Sequence, residues 1–140
     1  MTDRSAPSAP EKRIKSEELA QYCAQVADSK KAEDILILKV GELTYLTDFF
    51  VICTARNPIQ ARTITEEILH RMRERGLAPV GVEGEGTDWI LLDYVDLVVH
   101  IFSEEARRLY DLELLWGDAP RLKWEPLPSL GEVAHAMNEE

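Results

Sequence analysis

His100 is the residue best suited to move a proton, because an unperturbed imidazole titrates close to neutrality. Its use depends on its neighbours. Asp96 sits four residues back on the same strand face, about 13 Å away along an extended chain and too far to orient the ring. Asp93 comes closer across a hairpin, yet no Ser or Cys nucleophile is paired with the histidine. A hydrogen-bonding or interface histidine is therefore a better reading than a general base. Asp93 and Asp96 together suggest the carboxylate pair of a metal-dependent nucleotidyltransferase. With no Lys or Gly-Ser phosphate grip beside them, that is the weaker alternative.

The glycines at 81, 84 and 86 (GVEGEG) invite a phosphate-loop reading. They match neither a Walker loop nor a dinucleotide fingerprint, they lead into a strand rather than a helix, and Glu83 and Glu85 would repel phosphate. A turn fits better. Cys23 and Cys53 are the only cysteines, each within an apolar pattern where a free thiol acts as a small hydrophobe. Two separated cysteines make neither a disulfide framework nor a zinc site. No catalytic residue, metal ligand or cofactor is assigned.

These residues must be held by a scaffold, and the periodicity supplies one. Residues 1–15, rich in Ala, Pro, Ser and charge, read as a disordered lead. Ser16 offers an N-cap to a helix running to about Lys30, with Leu19, Cys23, Val26 and Ala27 on its apolar face. Glu33 to Val40 and Phe49 to Ala55 read as strands. Asn57-Pro58 starts a second helix, with Asn as cap and Pro at the first helical position, and Gly76 stops it. Its outer face mixes Arg62, Arg71, Arg73 and Arg75 with Glu66, Glu67 and Glu74, a solvated surface rather than a nucleic-acid stripe.

Pro79 to Glu83, Thr87 to Asp93 and Val95 to Phe102 complete a mixed five-stranded sheet, the last two joined through Tyr94 alone. Ser103 caps a final helix to Trp116, with Ala106, Leu109, Leu112 and Trp116 facing inward. Residues 16–116 thus form one α/β (α+β) domain, helices packed on a mixed sheet. The Pro-rich acidic tail, 117–140, is expected to lack independent structure, with Trp124 as its docking residue.

Strand faces alternate, so the hairpin can be read side by side. Val95, Leu97, Val99 and Ile101 present a purely aliphatic face suited to the core. Asp96, Val98, His100 and Phe102 form the opposite, mixed face. That face is either open to solvent as an amphipathic recognition patch or covered by another helix or a dimer partner.

The balance of 26 acidic against 16 basic residues gives a formal net charge of -10. Such a field opposes nonspecific contact with phosphate backbones; on composition alone it is read first as keeping the protein soluble, and second as favouring a basic partner. No apolar run reaches the ~18 residues of a membrane span. The N-terminal stretch has no apolar signal core and carries Asp3 and Glu11, so a cytoplasmic location is expected.

Several motifs in one order now carry a resemblance. They are Thr47-Asp48 with Val51-Ile52-Cys53-Thr54, Gly81-Val82-Glu83-Gly84, Asp88-Trp89-Ile90 with Asp93, Asp96 with Val98-Val99-His100, and Glu105 to Trp116 (EARRLYDLELLW). Over about residues 17–116 the chain resembles the ribosomal silencing factor, or Iojap-like, family. Where family members often continue the second strand with small Gly and Ser residues, this chain has Ala55-Arg56-Asn57-Pro58. The resemblance implies a nucleotidyltransferase-like fold without catalytic residues. It also implies a non-enzymatic factor that binds protein fourteen of the large ribosomal subunit, blocks joining of the small subunit and represses translation under nutrient limitation. The partner-binding residues it implies are Asp88, Trp89, Asp93, His100, Arg108, Tyr110 and Trp116. A homodimeric adaptor is the alternative use of the same surface.

Overall fold

Asn57 and Pro58 set the helix most plainly written in the chain. In a computed structural model, which describes residues 9–127, the Asn57 side chain accepts the Gln60 N–H and the helix runs Pro58–Glu74. Ile64, Thr65, Ile68 and Met72 form its buried stripe. In chain order the elements are α1 (Ala9–Ser29), β1 (Glu33–Lys39), β2 (Phe49–Ala55), α2 (Pro58–Glu74), β3 (Gly81–Glu83), β4 (Trp89–Asp93) and β5 (Leu97–Ser103). There follow α3 (Glu104–Tyr110), α4 (Leu112–Leu115) and β6 (Arg121–Leu122).

The strands form one mixed sheet in the order β3-β4-β5-β2-β1-β6. Only β2 and β5 pair in parallel, Phe49 opposite Leu97 through Ala55 opposite Ser103; the other neighbours are antiparallel. The two central strands are buried along nearly their whole length, which suits their runs of Val, Ile and Phe. One sheet face meets α1 and α2 in the main core, where Val51, Cys53, Ile90, Leu92, Leu97, Val99 and Ile101 pack against Cys23, Ala27, Ile64, Ile68 and Met72. The other face carries a smaller core of Leu38, Ile52 and Phe102 beneath Ala106, Leu112 and Ala119. The mixed α/β class is as expected, and Leu97, Val99 and Ile101 of the expected aliphatic face lie in the main core, whereas Val95 falls outside β5 and is exposed.

Four expectations are corrected. Ser16 is not a cap: α1 begins at Ala9, and Ser16 is buried within it, so the helix takes in the second half of the expected lead. Residues 1–8 of that lead and 128–140 of the tail lie outside the described residues. The sheet has six strands rather than five, because Arg121 and Leu122 add to the edge of β1 opposite Leu38 and Ile37. Gln21 and Gln25 donate to the carbonyls of Lys123 and Glu125, and the Trp124 indole N–H reaches the Ile35 carbonyl at 3.4 Å.

The β4–β5 hairpin is wider than Tyr94 alone. Val95 sits outside the strand at φ 72°, and the Asp93 carboxylate accepts its N–H at 2.8 Å. The final helix, finally, is two. Asp111 adopts a left-handed conformation (φ 43°, ψ 59°), ending α3 and capping α4 by accepting the Leu114 N–H.

Candidate partner-binding surface

Trp89, Leu91 and Asp93 alternate with the core residues Ile90 and Leu92 along β4, and so project to the second sheet face. Register places Trp89 opposite Phe102, Leu91 opposite His100 and Asp93 opposite Val98. Each sits beside a partner on that face. The turn before β4 holds Trp89 in place: Gly84 takes φ +78°, and the Thr87 hydroxyl donates to its carbonyl. A Cβ at Gly84 would drive into the Trp89 carbonyl oxygen.

Around Trp89 the aromatic side chains form a layered cluster. Its ring lies 5.1 Å from Phe102 and 4.6 Å from Tyr110, tilted against both. Its indole N–H donates to His100 Nδ1 at 3.0 Å. His100 meets Phe50 edge-on at 4.7 Å, and Phe50 meets Trp116 the same way at 5.4 Å. Burial alone pushes the His100 pKa down to about 4, so the ring is neutral near pH 7. Since Nδ1 accepts, the proton sits on Nε2.

The mixed face is thus resolved in favour of cover. His100 and Phe102 are 4% and 1% exposed, beneath Trp89, Tyr110, Ala106 and the returning chain. His100, expected among the contacts, lies under them instead. Asp88, Arg108 and Tyr110 are exposed, Trp89, Asp93 and Trp116 half-buried. Asp93 is tied to its own turn, and Arg108 reaches Glu104 only at 3.9 Å.

Sequence reasoning missed the apolar part of this surface. Leu109, expected to face inward, is 77% exposed, and Leu114 and Leu115 stand out beside half-exposed Tyr110. The break at Asp111 causes this, by turning the helical stripe before it can continue. Arg107 was missed too. It lies largely buried between Glu113 and the Thr54 hydroxyl, donating to them at 2.6 and 2.9 Å, and so ties α4 and β2 to α3. One arginine of an adjacent Arg107-Arg108 pair within a charged helix gave no signal of that role.

The remaining chemistry is sparse. Among the described residues no three His, Cys, Asp or Glu side chains converge to hold a metal ion. Burial raises both Cys23 and Cys53 to about 12, far from a reactive thiolate. A shallow cleft at the carboxyl ends of β2 and β5 is lined by Arg56, Asn57, Asp88, Glu104 and Glu105, without a nucleophile and base in contact. No described helix is long and apolar enough to cross a membrane. The outer face of α2 is laced with ion pairs, Arg62 to Glu66 and Arg71 to Glu67 and Glu74, as a solvated face should be.

The family model for the ribosomal silencing factor during starvation matches residues 13–140. The chain belongs to the ribosomal silencing factor family. Ribosomal silencing factor RsfS of Halalkalibacterium halodurans is 36% identical over 113 residues, 80% of this chain and 97% of that one. The RsfS of Bacillus subtilis is 38% identical over 103 residues, 73% and 87% of the two chains. Chloroplastic protein Iojap of Zea mays is 38% identical over 100 residues, 69% of this chain and 42% of the longer plant protein. A crystal structure of a Chromobacterium violaceum protein superposes with a TM-score of 0.70 at 28% identity, covering 83% of this chain and 93% of that one. Silencing factors are named for a regulatory rather than a catalytic role.

Proposed function

We propose that this chain silences translation by binding protein fourteen of the large ribosomal subunit and blocking the small subunit from joining, with no catalytic step of its own. The observation that carries the reading is the exposure of Leu109, Tyr110, Leu114 and Leu115, apolar and aromatic side chains open to solvent, with half-buried Trp89 packed against Tyr110. Aromatic side chains dominate the binding energy of protein interfaces, and exposed apolar area of this kind marks them. Asp88, next to Trp89 in the chain, is exposed in the cleft beside the start of α2, and the net charge of -10 attracts a basic partner. Arg108 on α3 is exposed, and half-buried Trp116, the residue that caps α4, packs against Phe50.

A soluble ribosomal partner fits a cytoplasmic place of action. The test is a subunit-association assay. Purified small and large subunits are mixed with saturating protein and resolved on a sucrose gradient. The joined-ribosome peak is expected to fall while the protein travels with free large subunits. An unchanged joined peak rejects the proposal.

A further inference from the structure

The buried histidine beneath the surface has a position that its own contacts explain only in part. His100 accepts the Trp89 indole N–H at Nδ1, but its Nε2 is buried with no hydrogen-bond partner among the described residues. An apolar side chain would avoid that cost, since a buried unpaired donor is expensive while a matched apolar replacement is nearly neutral. The ring also has no catalytic neighbour: the residues opposite it, Ile52 on β2 and Leu91 on β4, are aliphatic, and the rings around it are Phe50, Trp89 and Phe102. What the histidine supplies is one acceptor, aimed at Trp89, a half-buried ring packed between the second core and exposed Tyr110.

We propose that His100 is the positioning residue for Trp89, fixing the indole against Tyr110 and so shaping the surface that a partner meets. The proposal rests on reading that surface as partner-binding. An indole held by stacking alone is free to slide or flip over Phe102, because tilted aromatic contacts are broad in geometry. A hydrogen bond to Nε1 selects one orientation. It is formed to a buried histidine, and no other acceptor is paired with the indole N–H among the described residues. With Trp89 fixed, Tyr110 at 4.6 Å has a firm wall to lie on, although it is itself half-exposed. The partner then meets a preformed aromatic pair and does not have to order it, which lowers the cost of binding.

Two variants separate the acceptor from the ring. His100→Phe keeps an aromatic of similar volume and removes the acceptor. His100→Asn keeps an acceptor, Oδ1, at the place of Nδ1 and removes the rest of the ring. Cosedimentation with purified large subunits is measured for both, beside Trp89→Ala. His100→Phe is expected to bind roughly five- to tenfold more weakly, the loss of one hydrogen bond, with His100→Asn closer to wild type. Wild-type binding by His100→Phe, while Trp89→Ala loses binding, overturns the positioning role and leaves the surface intact. Wild-type binding by Trp89→Ala overturns the surface reading itself.

A spectroscopic test needs no variant. In uniformly 15N-labelled wild-type protein, a scalar coupling between Trp89 Nε1 and His100 Nδ1 across the hydrogen bond is expected, with His100 carrying its proton on Nε2. Absence of that coupling, or a His100 protonated on Nδ1, overturns the proposal even if both variants fail to fold.

Discussion

Arg107 and Glu113 form an ion pair of 2.6 Å that spans the break between the last two helices. The pair is more than a surface contact, because Arg107 is only 12% exposed and also donates to Thr54 in the sheet. It fixes the angle at which α3 and α4 leave Asp111, and with it the presentation of Leu109, Tyr110 and Leu114. Arg107→Ala leaves Glu113 and Thr54 without that donor. Since Glu113 is partly solvated, the expected loss is about 1–2 kcal/mol in urea unfolding. Arg107→Lys should recover little of it, because an ammonium cannot address both acceptors as a guanidinium does.

Gly84 is the second test of the scaffold. Its positive φ and its closeness to the Trp89 carbonyl exclude a side chain. Gly84→Ala is expected to cost roughly 3 kcal/mol and to disturb Trp89 first. Denaturant unfolding monitored by tryptophan emission reads both effects, and an unperturbed variant would show that the turn relaxes freely.

Leu109 and Leu114 separate binding from folding. Both are more than three-quarters exposed, so Leu109→Ser with Leu114→Ser should change stability by no more than about 0.5 kcal/mol per site. Binding to large subunits should fall all the same. Tyr110→Ala, on a half-exposed ring, is expected to weaken binding by roughly tenfold or more with little loss of circular dichroism. Loss of fold in either variant would mean these side chains support structure rather than recognition.

His100 gives the fold a pH dependence of known sign. Its folded pKa lies near 4, below the ordinary 6.5, so between these values the unfolded chain binds more protons than the folded one. Stability is fully present above about pH 6.5 and is lost as pH falls toward 4, by about 3 kcal/mol in all. Burial is the cause, and the side chains opposite and stacked on the ring carry no charge. Between pH 7 and 4 the stability of wild type relative to His100→Phe should fall by that amount, whichever is the more stable at pH 7; a difference independent of pH would contradict the buried neutral imidazole.

The sequence was most legible where one local signal settled the matter. Asn57-Pro58 and Gly76 bracket α2 because capping and proline geometry act within a few residues. The aliphatic face of β5 was readable because alternation has a strict period. Ser16 misled because a capping residue is also tolerated inside a helix, and α1 starts seven residues earlier. Nothing local announced β6, two residues long and held by pairing with β1. The break at Asp111 was hidden by an apolar pattern that continues on both sides of it. The same break decides which side chains of the candidate surface face outward, so His100 and Leu109 exchanged places between expectation and structure.

A cryo-electron microscopy map of the large subunit with this protein bound tests the central proposal most directly. The expected map places the face of Trp89 and Tyr110 on protein fourteen at the intersubunit side, with the indole N–H still turned toward His100. A protein seated elsewhere on the subunit, or bound through the outer face of α2, would contradict it.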